Sequence, residues 1–218
     1  MAGGLRRDTL LNVAMVAGVV LLPLAFVPQR LAHPAPWVAV AVRLALLFTQ
    51  PPLDKRETLA AGAADRMSAV GIFAAAILTQ LVSVFDFGYL RAAGPDPAAA
   101  TWWGALVLLA GALSFRVWAI RTLGRFFTSN VRVLEGHRVV DTGPYRLVRH
   151  PSYAGAILVQ LGLAWSFGSG WGALAAVLLV LPSYAHRIAV EERALVAGLG
   201  EAYERYRART KRLIPFVY

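Results

Sequence analysis

Two polar clusters stand out in an otherwise apolar chain. Arg149-His150-Pro151-Ser152-Tyr153-Ala154-Gly155 closes a polar, Gly/Pro-punctuated stretch that begins at Arg121, and His186-Arg187-Ile188-Ala189-Val190-Glu191-Glu192 follows after a long apolar run. Pro151 suits the first position of a helix. Arg149 and His150 then fall just before a helix N-terminus, whose unpaired N–H groups favour an anion. A residue preceding proline is pushed toward extended backbone, which fixes how His150 projects. Arg187 and Glu191 are four apart and share one helix face. Arginine forks suit a carboxylate or phosphate, whereas carboxylates and tyrosine faces suit a cation. The set therefore matches a ligand carrying both charges. Plainer roles fit the same residues: Arg149 as a membrane-border anchor, His150 as a cap, and Arg187–Glu191 as a helical salt pair of roughly 0.2–0.5 kcal/mol.

The elements that must position these clusters are membrane helices. Of 218 residues, 58% are hydrophobic and 16% charged, against roughly 25% charged in soluble domains. The apolar residues form long blocks, the pattern of membrane spans. Six spans are predicted: Leu10 to Val27, Ala35 to Thr49, Met67 to Tyr89, Ala99 to Ile120, Ser152 to Phe167 and Trp171 to His186. The second reaches only about 22 Å at 1.5 Å per residue and carries Arg43 in its middle, so a half-span or re-entrant piece is the alternative. Gln50-Pro51-Pro52 with Asp54-Lys55-Arg56-Glu57 breaks the chain into a charged loop, and Ala92 to Pro97 is a turn-rich connection. Only Gly168-Ser169-Gly170 separates the last two spans, so they form an antiparallel hairpin whose open ends bring Arg149-His150 and Glu191-Glu192 together. Residues 188–209 are expected as a charged helix leaving the membrane. The fold class is all-α: a polytopic integral membrane bundle, divided into an N-terminal four-span region (1–120) and a catalytic region (121–218).

Basic residues give the orientation. Six spans put eighteen Lys and Arg on one side and two, Arg30 and Arg91, on the other. That asymmetry predicts both termini and both clusters in the cytoplasm. The net charge of +10 has the same origin, and no basic stripe interleaved with aromatics points to nucleic acid. Cysteine is absent, which excludes disulfides, thiol nucleophiles and Cys-ligated zinc. The four histidines lack metal-type spacing, so no metal site is expected. The first span lacks a following small-residue cleavage site and is read as a retained helix.

From the residue chemistry alone, a sulfonium amino acid such as S-adenosylmethionine is one ligand with both charges. Gly136-His137-Arg138-Val139-Val140, Thr142-Gly143-Pro144-Tyr145 and Arg149 through Gly155 resemble the cofactor-binding region of the isoprenylcysteine carboxyl methyltransferase family. Arg187-Ile188-x-x-Glu191-Glu192-x-x-Leu195, Gly200-Glu201-x-Tyr203-x-x-Tyr206 and Ile214-Pro215-Phe216 are similar to its C-terminal signature. The resemblance runs from about Thr128 onward and leaves the first four spans uncovered. It implies a membrane methyltransferase that holds S-adenosylmethionine, released as S-adenosylhomocysteine, between connector, hairpin and tail. At matching positions it implies a cofactor pocket of Asn130, His137, Arg138, Val139, Val140, Tyr145, His150, Pro151, Ser152, Tyr153 and Glu191, with Tyr203 also matched. On the acceptor side it implies Arg187, facing a carboxylate, with Arg149 and Glu192.

A carboxylate acceptor is already ionised and needs no general base, only positioning against the S-methyl carbon. The implied acceptor is an isoprenylcysteine-like or other lipophilic acid entering from the membrane lipids. Relatives on the same scaffold methylate phospholipid amines or thiols, so those acceptors stay open, and the Ala- and Arg-rich composition is compatible with a bacterial inner membrane. A different class, a transporter or lipid-binding protein, would rest on Arg43, Asp86 and Arg116, because buried ionisable groups mark pathways. Snorkelling or interhelical pairing explains the same three residues.

Overall fold

The computed structural model describes residues 2–50, 63–91, 99–128 and 130–215. The breaker after Gln50, the whole Ala92 to Pro97 connection, and Phe216 lie outside the described residues. Seven helices are formed among those described: α1 (Ala2–Leu24), α2 (Pro34–Thr49), α3 (Ala63–Phe85), α4 (Ala99–Leu123), α5 (Pro151–Ser166), α6 (Gly170–Leu199) and α7 (Glu201–Arg209). α3 ends in a π turn at Asp86–Leu90, and α6 contains one at Ala176–Val180.

Among the described residues, three helices are long and apolar enough to cross a membrane: Asp65–Leu90, Thr101–Phe126 and Gly170–Leu199. Leu10–Leu24 and Pro34–Thr49 are shorter apolar helices. α5 has 16 residues, about 24 Å of rise. Large apolar side chains such as Phe73, Leu78, Trp103, Val107 and Leu178 are exposed on the outside of the bundle, as a lipid-facing surface requires.

α5 is the central rod. Val159, Leu163 and Phe167 at its far end pack with Val20 and Leu24 of α1 and with Val84 and Phe87 of α3 and its π turn. Its other face lies against α4, and Gly155 permits the approach. A Cβ there would meet Arg116 Cβ at 2.8 Å and the Ala112 carbonyl oxygen at 3.1 Å. Arg43, Arg116 and Asp86 each join one helix to another. Arg43 donates to Gln80 Oε1 (3.0 Å), the Ala76 carbonyl (3.1 Å) and Gln160 Oε1 (3.3 Å). Arg116 Nη1 donates to the Ser152 carbonyl at 2.6 Å. Asp86 Oδ2 accepts from Ser169 Oγ at 2.6 Å, and Ser169 Oγ in turn caps α6 by accepting from Gly172 N at 2.8 Å. These are the interhelical partners expected of the bland reading, and they fasten the hairpin.

The tail differs from expectation. The helix expected over residues 188–209 is not a separate element: α6 runs on to Leu199, and the break comes at Gly200, whose φ of +56° costs glycine little and other residues more. Composition alone hides this break, because the residues on both sides are good helix formers. α7 then turns back across the mouth of the hairpin. Beyond it, Lys211 pairs in parallel with Val148; Arg149 N donates to the Lys211 carbonyl (2.7 Å) and His150 N to the Arg212 carbonyl (3.0 Å).

Candidate active site

The ends of α3, α4, α5 and α6, the connector 124–150 and α7 meet at one end of the bundle and enclose a cavity. Its walls include Asn130, His137, Arg138, Val139, Val140, Tyr145, Arg149, His150, Ser152, Tyr153, Arg187, Glu191 and Tyr203. Pro151 stands first in α5 and Glu192 is buried to one side; neither lines the cavity. The remaining wall is mainly apolar, from Leu123, Phe126, Phe127, Val131, Ala194, Leu195 and Leu199. Sequence reading missed this apolar wall, whose residues look like ordinary ends of membrane helices.

The hairpin brings its two clusters into contact. His150 Nδ1 lies 3.9 Å from Glu191 Oε2, and Nε2 lies 3.4 Å from Glu192 Oε1. His150 is the residue preceding α5, but its side chain makes no cap to the helix. Its ring stacks on Tyr153, with planes 3° apart and centroids 5.5 Å apart. Tyr153 Oη donates to Glu191 Oε2 at 2.6 Å.

The adjacent carboxylates have different surroundings. Glu192 is buried and accepts from Arg149 Nε (2.8 Å) and from Arg212 Nε and Nη2 (both 3.1 Å). Arg149 also donates to the carbonyls of Arg207 and Thr210. This knot fastens the tail to the start of α5, so Arg149 and Glu192 together form a clasp. Glu191, one residue earlier, turns its partly exposed carboxylate to the cavity, where Tyr153 donates to it and His150 lies beside it.

Arg187 lines the cavity and is buried. Its Nη1 pairs with Asp65 Oδ1 and donates to Ser68 Oγ (3.0 Å) and the Asp65 carbonyl (3.3 Å), while Nε lies 3.5 Å from Tyr153 Oη. Asp65 and Ser68 are a second omission of the sequence reading. An acidic residue opening a long apolar helix was the available signal, since helix N-termini favour carboxylates.

Three groups outside the long apolar helices, His137, Tyr203 and Tyr206, favour their neutral forms. His137 stacks on Phe126 at 4.4 Å, and its Nδ1 faces Leu134 N at 3.4 Å. Burial lowers its pKa; Glu191 opposes this and Arg125 adds to it. Burial, followed by the charge of Glu192 and Glu191, raises the Tyr203 phenol above its usual range. Tyr206, raised mainly by burial, donates to the Tyr145 carbonyl at 2.8 Å. Both tyrosines therefore present O–H groups rather than phenolates at neutral pH.

Residues 104–197 match the model of the Isoprenylcysteine carboxyl methyltransferase (ICMT) family. That segment is similar to the family. It holds every ICMT-like wall of the cavity up to Leu195, and leaves Leu199 and the two α7 tyrosines outside. Protein-S-isoprenylcysteine O-methyltransferases B and A of Arabidopsis thaliana are 33% and 34% identical to this chain over 122 residues, each alignment covering 53% of this chain and 61% of the relative. The Schizosaccharomyces pombe protein-S-isoprenylcysteine O-methyltransferase is 36% identical over 81 residues, 37% of this chain and 34% of that protein. The chain thus spans about 61% of the length of its Arabidopsis relatives. With an ICMT segment and three helices of spanning length, it is an integral membrane protein.

The cavity suits the ligand implied by an ICMT resemblance. A cationic sulfonium needs a carboxylate on the cavity wall, and Glu191 offers one, held by the Tyr153 hydroxyl. A nucleoside needs flat and apolar faces, which His137, Phe126, Leu195 and Val139 offer around the same space.

Proposed function

We propose that this chain is a membrane methyltransferase that uses S-adenosylmethionine to esterify the carboxylate of an isoprenylcysteine-like or other lipophilic acid. The observation that carries this reading is the Glu191 carboxylate, turned into a cavity shared with Arg187 inside the ICMT-matched segment. The bound cofactor supplies an electrophilic methyl group, so that an ester C–O bond forms as the C–S bond breaks and its electron pair returns to sulfur. Glu191 attracts the cationic cofactor, while Arg187 orients the anionic acceptor. His137, Tyr145, His150, Ser152 and Tyr153 shape the cavity, and Asn130, Arg138, Val139, Val140 and Tyr203 complete it. No residue needs to take a proton, because the acceptor arrives ionised. Positioning is therefore the main contribution of the protein.

The proposal retains residues 121–218 as the catalytic region, with 1–120 as its membrane support, and places the cavity and both termini on the cytoplasmic face. A bacterial inner membrane is the proposed setting. The acceptor enters sideways from the lipid, and the cofactor enters from water. One observation favours a second acceptor class: Asp65 already offsets the charge of Arg187, which makes an amine or thiol acceptor less unfavourable. Labelled methyl donor supplied to membranes distinguishes the two. An alkali-labile ester is expected; label held only in amine or thioether would overturn the carboxylate assignment.

A further inference from the structure

Arg187 and the connector over the cavity are held by the same side chain. Asp65 is buried in the first turn of α3. One carboxylate oxygen pairs with Arg187 Nη1; the other accepts from Val131 N at 3.2 Å. Ser68, one turn along, donates to the Asp65 carbonyl at 2.8 Å and accepts from Arg187 Nη1 at 3.0 Å. Val131 and Arg187 both line the cavity. α3 thus grips the guanidinium at one corner and the connector at another.

We infer that Asp65 is a positioning residue for the methyl acceptor: it fixes the Arg187 guanidinium and links that orientation to the seating of the connector over the cofactor. This rests on the function proposed above. A buried arginine has many rotamers, and a carboxylate that binds one nitrogen removes most of them before the acceptor arrives. Because the second oxygen holds Val131, loading the cavity and orienting the acceptor are coupled. Coupling between two sites is reciprocal. An acceptor acid therefore tightens S-adenosylhomocysteine binding, and the product of that linkage passes through Asp65.

The test compares wild-type protein with Asp65→Asn, measuring S-adenosylhomocysteine affinity with and without an S-prenylated cysteine, and the KM and kcat for that acid. In Asp65→Asn the acceptor KM is expected to rise about tenfold or more. Cofactor affinity alone should stay within about twofold, and its tightening by acceptor should vanish. An unchanged KM with intact coupling would overturn the inference, as would an equal loss of cofactor affinity, which marks a purely structural role. Should Asp65→Asn fail to fold, Ser68→Ala decides: a higher acceptor KM at unchanged cofactor affinity supports the inference, and an unchanged KM rejects it. Failure of the wild-type protein to methylate any acid would instead remove the functional reading itself.

Discussion

At Glu191 and Glu192, neighbouring positions on one helix produce opposite chemistry, because α6 turns one carboxylate to the cavity and the other into the bundle. Charge-assisted contacts are worth about 1.5–3 kcal/mol. Glu191→Gln should therefore weaken S-adenosylhomocysteine binding by about tenfold or more while leaving the melting temperature near that of the wild type; calorimetric titration checks it. Glu192→Ala removes the common partner of Arg149 and Arg212 and leaves Arg149 charged among buried groups. Breaking such a pair costs about 3–5 kcal/mol. The expected outcome is a large fall in thermal stability in detergent, seen with or without cofactor. His137 gives a pH dependence of known sign. Its folded pKa lies below the ordinary 6.5, so its contribution is fully present above that pH. Stability is lost as pH falls from there through the lowered folded value, because the unfolded chain binds the proton more readily. His137→Phe should flatten that part of a melting-temperature profile taken between pH 8 and about 5.

Among the elements, α5 controls the site because α4 can approach it so closely. Gly155→Val would drive a side chain into Arg116 and the Ala112 carbonyl, and overpacking of this kind costs about 1–3 kcal/mol. Gly111→Ala, with nothing within 4 Å of the added carbon, should be neutral or stabilising by up to about 1 kcal/mol; thermal melts of the two variants check the contrast. The hairpin was legible in the sequence because three residues between two apolar runs leave no other arrangement, and the meeting of His150 with the Glu191-Glu192 pair follows from it. The tail was less legible. Gly198 and Gly200 weaken helix propensity at the junction of α6 and α7, but a glycine does not by itself end a helix, and the positive φ of Gly200 is what divides them. Asp65 was the least legible of all. It lies 122 residues from Arg187, and no local pattern records a pairing over that distance. The spans were legible where length and hydropathy agree, in α3, α4 and α6; the apolar stretch of α1, Leu10–Leu24, and the helices α2 and α5 are shorter.

For the molecule as a whole, the proposed orientation has a direct check. The chain contains no cysteine, so single cysteines introduced at Arg146 and at Arg30 report their own side without background. A membrane-impermeant maleimide should reach position 30 in intact cells and position 146 only after lysis; the reverse pattern would invert the topology. The parallel pairing of Lys211 with Val148, and the grip of Arg149 on the Thr210 carbonyl, also set a time order for biogenesis. Translation proceeds from the N-terminus, so residues 210–212 leave the ribosome after every helix of the bundle. Until they emerge, Glu192 lacks Arg212 and the floor of the cavity lacks its last stitch. A chain truncated before Thr210 would keep every helix of the bundle and still lack the contacts that close the cavity, so it should not retain a nucleoside, and competence to bind arrives with the last residues.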